Sequence, residues 1–593
     1  MSWVQTEGTK KWLALVLMFT MVLSLFSFLT APKSHAAASY YVAVNGSNSN
    51  PGTLSQPFAT INKFMEVAQP GDTVYVRGGT YTFGETYLSK SGTAGNYITI
   101  RNYPGEIPII DGGGTVGVGF YYGEPHQGTG KGSYIIIEGF VLQNFWRSGI
   151  NLGYTTPAIR QSDNREISPY QTMSNVIIRN NIVDKAGQNG ISIMNASDVT
   201  VENNLVGRTG YDPNTGSWSS GINFWGMYGT NNYIKNNVSY HNIDVSSAHT
   251  DGNGAIVDLS FYKGGATIEN NVFFENGGAG IAITESSYSK IINNTLYENG
   301  KDPSYTHGGS GLGYYGSDAA DNTIVKNNVI HQSFGQGMWT YSSFTNSTFS
   351  NNNIAGQSGY SNPLFVDGDN ANFRLQSSSP SIDTGTSNGA PATSIGFDQG
   401  ALTKTSSNQP VSWFRYAPNW TYIQGKGEIK NLFVSVARPQ GNGYDQGAYE
   451  GSGSGTTTPP PTSSNIKLYS LANNKYVAAN TNVTNNPLQS ISSSANTWEQ
   501  FEKITNSDGT ITFKAHNGKY VLANINKTNS PLEAISNSIG TWEKFEVINN
   551  SDGTVSYKSV ANNKYVMTDP NASGQGLYAM STGIGSWEKY QQQ

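Results

Sequence analysis

The sequence contains no cysteine and carries little charge. The absence of cysteine from its 593 residues excludes disulfide bonds, thiolate metal sites and a cysteine nucleophile. Charged residues make up only 13%, against about a quarter of an average domain. Lys+Arg 35 and Asp+Glu 40 give a net charge of −5, so no basic field points to nucleic acid. Glycine is abundant instead, at 68 residues, and the chain is long enough for several domains.

The first segment has the features of a secretion signal. Two lysines precede an apolar stretch over residues 12–29, and a small-residue cleavage pattern follows at residues 34–36. These features predict a signal peptide over residues 1–36 and a mature protein that is secreted, extracellular and not bound to a membrane. The alternative is an uncleaved anchor, because the apolar stretch approaches the length of a membrane span.

Paired asparagines recur along the chain at intervals of 23, 33, 34, 23, 34 and 24 residues. Each pair precedes a short strand that begins with glycine. Short strands at this period cannot bury a face alone but can stack, which predicts a right-handed parallel β-helix over residues 37–451. We interpret the asparagines as structural, with amides that hydrogen-bond from coil to coil about 4.8 Å apart. The pairs stand at 180/181, 203/204, 236/237, 270/271, 293/294, 327/328 and 351/352.

Three coils, those that begin at Asn203, Asn236 and Asn293, carry eight extra residues in the turn before the glycine-led strand. We call these the first, second and third inserted turns and expect them to form the walls of a groove. On that strand the second and fourth residues after glycine point outward. Trp225, Tyr315 and Asn223 on this face, with His307 on a wall, are candidate substrate-binding residues, since aromatic faces stack on sugar rings. The fourth-position column reads Met194, Trp225, Asp258, Thr284, Tyr315 and Tyr341, and the second-position column reads Ser192, Asn223, Ile256, Ala282, Gly313 and Trp339.

A further column lies on the preceding strand, at the fourth residue after each pair. We expect it to border the inserted turns, where Arg208 and His241 are candidates to bind or neutralise substrate charge. The column reads Lys185, Arg208, His241, Glu275, Glu298 and Gln332.

Both ends of the predicted helix resemble a known class. The segments that carry the resemblance are 40–47, 50–53, 57–61 and Pro70-Gly71-Asp72-Thr73-Val74-Tyr75-Val76 near the start, with 373–375, 379–383 and 445–450 near the end. They resemble the caps of secreted pectate-lyase-like β-helix proteins, a class that includes polysaccharide lyases and glycoside hydrolases. The chain departs from it in lacking the paired aspartates and Arg-x-Lys of polygalacturonase-like hydrolases, and no lysine follows Gly254 within its strand.

The densest polar cluster runs from His249 through Asp251 and Asn253 to Asp258. Side-chain oxygens in such a group can bind Ca²⁺ or another divalent cation, with Asp251, Asn253 and Asp258 as candidate ligands. The alternative is that Asp251 and Asn253 only cap a turn.

The leading prediction is a cation-assisted polysaccharide lyase that cleaves a uronic-acid polymer by β-elimination. The cation would neutralise the substrate carboxylate, His249 would act as base, and Arg208 or Lys263 would assist. The first alternative is a glycoside hydrolase with Asp251 and Asp258 as acid and base, where a carboxylate separation of about 5–5.5 Å or about 6.5–9.5 Å indicates retention or inversion. The second is a non-catalytic carbohydrate-binding surface protein.

Three repeats follow a Gly/Ser/Thr/Pro linker over residues 452–464. Their spacings of 44 and 45 residues predict a β-trefoil over residues 465–593. The pattern resembles fascin-like modules attached to carbohydrate-active enzymes, which implies carbohydrate binding by a protein that we expect to be a monomer. The repeated aromatic residues serve either core packing or sugar stacking: Tyr476, Tyr520, Tyr565, Trp498, Trp542 and Trp587.

Overall fold

The computed structural model describes residues 12, 18, 36–123, 132–153, 173–214, 218–261, 264–307, 309–315, 320–331, 334–340, 344–407, 409–451, 464–506, 510–537, 539–550 and 552–592. Nearly all of the predicted signal peptide and linker therefore lies outside the described residues. Within these ranges, no helix has the length and apolar character needed to cross a membrane. The chain divides into two compact units, Met1–Gly455 and Thr456–Gln593.

The first unit is a right-handed parallel β-helix, as predicted, and each regular coil contributes one strand to each of three sheets. In the described part of the chain, the first sheet consists of Ser39–Val42, Thr73–Val76, Ile98–Asn102, Ile135–Glu138, Met173–Arg179, Ala196–Glu202, Tyr233–Lys235, Thr267–Glu269, Lys290–Ile292, Ile324–Lys326 and Thr348–Ser350. The second consists of Gly79–Tyr81, Pro108–Asp111, Val141–Phe145, Ile182–Ala186, Leu205–Gly207, Val238–Tyr240, Val272–Phe274, Thr295–Tyr297, Val329–His331 and Asn353–Ile354. The third, called the floor sheet below, consists of Thr86–Tyr87, Val118–Tyr122, Ser148–Leu152, Ile191–Met194, Ser220–Trp225, Asn253–Phe261, Ile281–Ser286, Gly309–Tyr315 and Gln336–Thr340.

The inward side chains of the floor sheet follow the predicted pleat. Ile222 and Phe224, one and three positions after Gly221, are 0% exposed. Burial of each such side chain contributes roughly 1.5–3 kcal/mol to stability. The glycines themselves stand where neighbouring coils approach closely, since a Cβ on Gly254 would lie 2.6 Å from the carbonyl oxygen of Gly280.

The two asparagines of each pair have different structural roles. The second member forms the predicted ladder: Oδ1 of Asn204 accepts the backbone N–H and the side-chain amide of Asn181, at 3.0 and 3.1 Å. The first member, such as Asn203 (φ 55°), adopts the left-handed conformation, which asparagine tolerates better than most residues. The same two hydrogen bonds continue the ladder through Asn237, Asn271, Asn294, Asn328 and Asn352.

The chain beyond the last coil folds back over the outer face of the second sheet. That face is apolar, and Tyr240, Val272 and Phe274 are buried there against Phe373 and Tyr416. The covering segment contains the strand pairs Phe365–Asp367 with Asn372–Leu375, Thr393–Ser394 with Val436–Ala437, and Leu402–Lys404 with Tyr416–Pro418, the helix Trp420–Gly425, and 3₁₀ turns at Gly368–Asn370, Gln399–Ala401 and Ile429–Leu432.

A short helix, Ile61–Val67, packs at the N-terminal end of the coil stack. Thr60 caps it by accepting the backbone N–H of Lys63, and Ile61 and Phe64 enter the core. A further short parallel pair, Ala320–Asp321 with Phe344–Thr345, lies beside the last coils.

The second unit has its own hydrophobic core and a closed barrel, and this arrangement is consistent with the predicted β-trefoil. Six strands pair in a ring: Ser464–Ser470, Gln500–Thr505, Ile511–Ala515, Phe545–Asn549, Val555–Ser559 and Tyr590–Gln592. Three hairpins accompany them: Lys475–Ala479 with Leu488–Ser492, Tyr520–Ala523 with Leu532–Ser536, and Tyr565–Thr568 with Leu577–Ser581. Two 3₁₀ turns, Thr497–Glu499 and Thr541–Glu543, carry Trp-Glu repeats.

Candidate active site

The outer face of the floor sheet has the predicted register. Trp225 pairs with Asp258, which pairs in turn with Thr284. The fourth-position column continues to Tyr315, and the next predicted member, Tyr341, lies outside the described residues. The second-position column follows the same register from Ser192 to Trp339. Trp225 is half-buried, and so is the neighbouring Asn223, whose amide donates to Oγ of Ser192 at 3.2 Å.

Two of the inserted turns meet above the floor sheet, although a shorter coil separates them. The backbone N–H of Thr306, in the third inserted turn, donates to the carbonyl of His249, in the second, at 3.0 Å. The shorter coil passes beneath through Gly278, where a Cβ would lie 2.3 Å from the carbonyl oxygen of Asp251. The two turns therefore form one continuous wall.

Asp258 lies at a break in the strand pairing. The register shifts between Asp258 and Phe261, and Leu259 adopts φ 47°, the signature of a β-bulge. Oδ1 of Asp258 is buried and has no hydrogen-bond partner among the described residues. Burial raises the pKa of Asp258 well above its ordinary value, and the charges of Asp251 and Glu285 raise it further.

Asp251 lies where the second inserted turn enters the floor sheet. The side-chain amide of Asn253 donates to its Oδ1 at 2.8 Å, and the carboxyl group is 8% exposed. Burial, together with the charge of Asp244, raises the pKa of Asp251 to about 7. The site thus brings together two carboxyl groups that both hold protons more tightly than ordinary aspartates.

Two of the three predicted histidines, His249 and His307, lie on the wall. Nδ1 of His249 is 3.0 Å from Oδ2 of Asp302. His307 donates from Nδ1 to the carbonyl of Thr250 at 3.1 Å, because a carbonyl can only accept. Its ring centroid is 4.7 Å from that of Tyr315.

The predicted cation ligands do not form a cation site. Oδ1 of Asn253 already accepts the backbone N–H of Ala279 at 2.9 Å, and its amide N–H faces Asp251. In the ranges that the structure covers, no three His, Asp or Glu side chains converge as metal ligands would. The donor set Asp251, Asn253 and Asp258 therefore does not fit a divalent cation, and Asn253 instead holds Asp251 in place.

Arg208 and His241, the candidates to bind or neutralise substrate charge, do not join this cluster. Arg208 is 4% exposed and pairs with Asp184, its Nε 2.7 Å from Oδ1. His241 is fully buried against Glu275 and stacks on Phe414, with ring centroids 4.9 Å apart. The outer face of the second sheet is apolar and is covered by the chain segment that follows the last coil. The same segment also buries the side chains of Arg208 and His241. Lys263 lies outside the described residues.

Two residues of the site did not emerge as candidates from the sequence. Glu285 follows the floor-sheet column by one residue, so the two-residue period did not place it on the outer face, yet its charge raises the pKa of Asp258. Tyr305 stood within an inserted turn, but nothing in the spacing indicated that its hydroxyl lies 2.6 Å from that of Tyr315.

Comparison with known proteins agrees with this architecture. Residues 40–372 match the family model described as the Pel9A-like, right-handed beta helix region. The chain is 25% identical to pectate lyase L of Paenibacillus polymyxa over 294 residues, which cover 45% of this chain and 64% of that protein. It is 43% identical to pectate lyase PEL9 of Emericella nidulans over 77 residues, 13% of this chain and 19% of that protein. The matches thus span less than two thirds of either relative.

A solved structure of pectate lyase Pel9A is among the matches. It is 18% identical to this chain, and the match covers 70% of this chain and 97% of that one, with a TM-score of 0.40.

Proposed function

The chain belongs to the family of Pel9A-like right-handed β-helix proteins, and from that premise we propose that it is a secreted enzyme that cleaves a polysaccharide over the floor sheet. The observation that carries the proposal is the carboxyl pair formed by buried Asp251 and half-buried Asp258, beside the half-buried Trp225. Paired carboxyl groups with shifted pKa values exchange protons with a glycosidic bond, and an aromatic face binds a sugar ring.

Hydrolysis is the reaction that this geometry supports best. Asp258, whose pKa is raised well above its ordinary value, donates its proton to the glycosidic oxygen as the bond to the anomeric carbon breaks. Asp251, whose pKa is about 7, accepts a proton from the water that adds to that carbon. The charges that act on Asp258 are those of Asp251 and Glu285, both acidic, so this pair is arranged to hold and release protons.

Elimination is the second candidate, and family membership favours it. The two named relatives are pectate lyases, and a uronic-acid polymer would be the substrate. β-Elimination requires a base and a group that neutralises the substrate carboxylate. His249 is the candidate base on the wall, and Ca²⁺ stays a proposal that the donor set Asp251, Asn253 and Asp258 does not support.

A polysaccharide panel tests the proposal. The protein is incubated with polygalacturonate and with neutral polysaccharides, and new reducing ends and ultraviolet absorbance are both recorded. Hydrolysis yields reducing ends alone, whereas elimination also yields the absorbance of a conjugated double bond. Binding without cleavage of any polymer would contradict the proposal and favour a non-catalytic surface protein.

We further propose that the second unit is a carbohydrate-binding module. Trp498, Trp542 and Trp587 are half-exposed at equivalent positions, whereas the glutamates after them are buried and accept backbone N–H groups at 2.7 Å. The Trp-Glu repeat thus combines a structural glutamate with an accessible ring. Attachment to the polymer would raise the effective concentration of substrate at the groove.

A further inference from the structure

The floor sheet is accessible on one side of Asp258 and closed on the other. Four consecutive members of the fourth-position column, Met194, Trp225, Asp258 and Thr284, are half-buried. The fifth, Tyr315, is only 6% exposed although its side chain also leaves the outer face. Because coils stack about 4.8 Å apart, the closure lies about 10 Å from Asp258.

Tyr315 is closed in by aromatic side chains from two directions. Its hydroxyl lies 2.6 Å from that of Tyr305, which reaches over from the third inserted turn. The ring of Trp339, on the next coil, is centred 5.2 Å from its own. Tyr315 itself lies flat across Gly313, where a Cβ would stand 2.1 Å from the hydroxyl oxygen. Only glycine at this position allows the floor to be filled in this way.

The closure is built on a fixed support. The third inserted turn is tied to the second by Thr306, which donates to the carbonyl of His249, and by His307, which donates to that of Thr250. The contact between His249 and Asp302 adds a third tie at 3.0 Å. Tyr305 is therefore held in place from both ends of its turn.

We propose that Tyr305, together with Tyr315, ends the substrate groove and makes the enzyme act on chain ends. A polysaccharide enters along Met194 and Trp225, its terminal residues abut the tyrosine pair, and cleavage at Asp258 releases a mono- or disaccharide. This inference rests on the proposed function and adds to it the part of the polymer that is recognised.

Product size and viscosity test the inference on whichever polymer of the panel is cleaved. The wild-type protein is expected to release one short product from the start, while the viscosity of the polymer falls slowly per bond broken. Tyr305→Ala removes the closing ring and is expected to yield longer products and a severalfold faster loss of viscosity per bond.

Two variants serve as controls. Tyr305→Phe keeps the ring and is expected to retain the short product, and Tyr233→Ala changes a half-buried tyrosine on the first sheet and is expected to leave the pattern unaltered. Thermal melting of each variant establishes that it is folded. A broad range of products from the wild type, or an unchanged pattern in folded Tyr305→Ala, would overturn the inference while leaving polysaccharide cleavage intact. If the wild type cleaves no polymer, the proposed function fails and the inference fails with it.

Discussion

Asp258 lies on the outer face of the floor sheet, yet its carboxyl oxygen Oδ1 is buried. It is the fourth residue of a glycine-led strand, so the pleat alone brings it to the outer face. A bulge follows it in the strand, its Oδ1 is buried, and the charges of Asp251 and Glu285 act on it. The two-residue period thus predicted the position of Asp258, whereas its raised pKa depends mainly on burial and on the charge of Asp251, which the period does not encode.

The protonation of Asp251 should be visible in stability. Its pKa is about 7 in the folded chain and ordinarily 3.8, so the folded state binds the proton more tightly than the unfolded state. The free energy of unfolding therefore falls as pH rises from about 4 to 7. Asp251→Asn should remove up to about 4 kcal/mol of that fall, at about 1.4 kcal/mol per pKa unit.

Denaturant unfolding at pH 4 and pH 8 measures this difference. Asp198→Asn, a change on the outer side of the first sheet, is the matched control and should retain the wild-type dependence. Equal pH dependence in Asp251→Asn and the wild type would show that Asp251 titrates normally.

Removal of divalent cations should leave the activity unchanged. Asn253 presents its amide N–H rather than its oxygen to Asp251, and the candidate ligands do not converge. The expected result is the same rate before and after dialysis against a chelator, with no rise in melting temperature on addition of Ca²⁺. A rate that disappears with the chelator and returns with Ca²⁺ would show that these side chains rearrange around a cation.

At the scale of elements, the asparagine pairs illustrate what a repeat can predict. The pairs indicated stacked amides, and the second asparagines form the continuous ladder, although the first members Asn327 and Asn293 also share one amide hydrogen bond at 3.1 Å. The first is in the left-handed conformation at every described pair. The repeat shows that both positions require asparagine, but it does not show why. The structure shows that the first position requires a left-handed backbone conformation and that the second requires an amide for the ladder.

This division can be tested with adjacent residues. Asn237→Ala leaves the backbone N–H of Asn204 without its acceptor inside the coil stack, and such a buried unpaired group costs about 1–3 kcal/mol. The substitution also removes one of the three acceptors of the Asn204 amide and the contacts of the Asn237 amide itself. We expect a loss of about 2–4 kcal/mol in the free energy of unfolding. Asn236→Gly keeps the left-handed conformation accessible and should change stability by less than about 1 kcal/mol. Similar losses in the two variants would contradict the assignment.

For the whole molecule, the coil architecture followed from the repeats because each coil contacts only its neighbours. The cover over the second sheet did not follow, because it pairs residues such as His241 and Phe414 that are far apart in sequence. Because of that long-range packing, Arg208 and His241 are buried under the cover and do not belong to the site. Local periodicity therefore predicted which side chains form the floor of the groove. It could not predict which charged side chains lie beside that floor, because this depends on contacts between residues far apart in sequence.

We expect the second unit to bind the polysaccharide and not to take part in its cleavage. Replacement of Trp498, Trp542 and Trp587 by alanine in the full chain should weaken binding to insoluble polymer. Turnover of a soluble oligosaccharide should stay the same, because the reacting groups lie in the first unit. Binding isotherms and initial rates on the two substrates separate these effects, and an equal loss in both would contradict the division of labour.

The most direct test of the central claim is the cleavage rate of Asp258→Asn on a polymer that the wild type degrades. The substitution removes the proton donor but keeps the shape of the side chain. The account predicts a fall in kcat of about 10²- to 10⁴-fold, with an unchanged melting profile and with full activity in Asp198→Asn. Wild-type activity in a folded Asp258→Asn variant would show that the reaction takes place elsewhere.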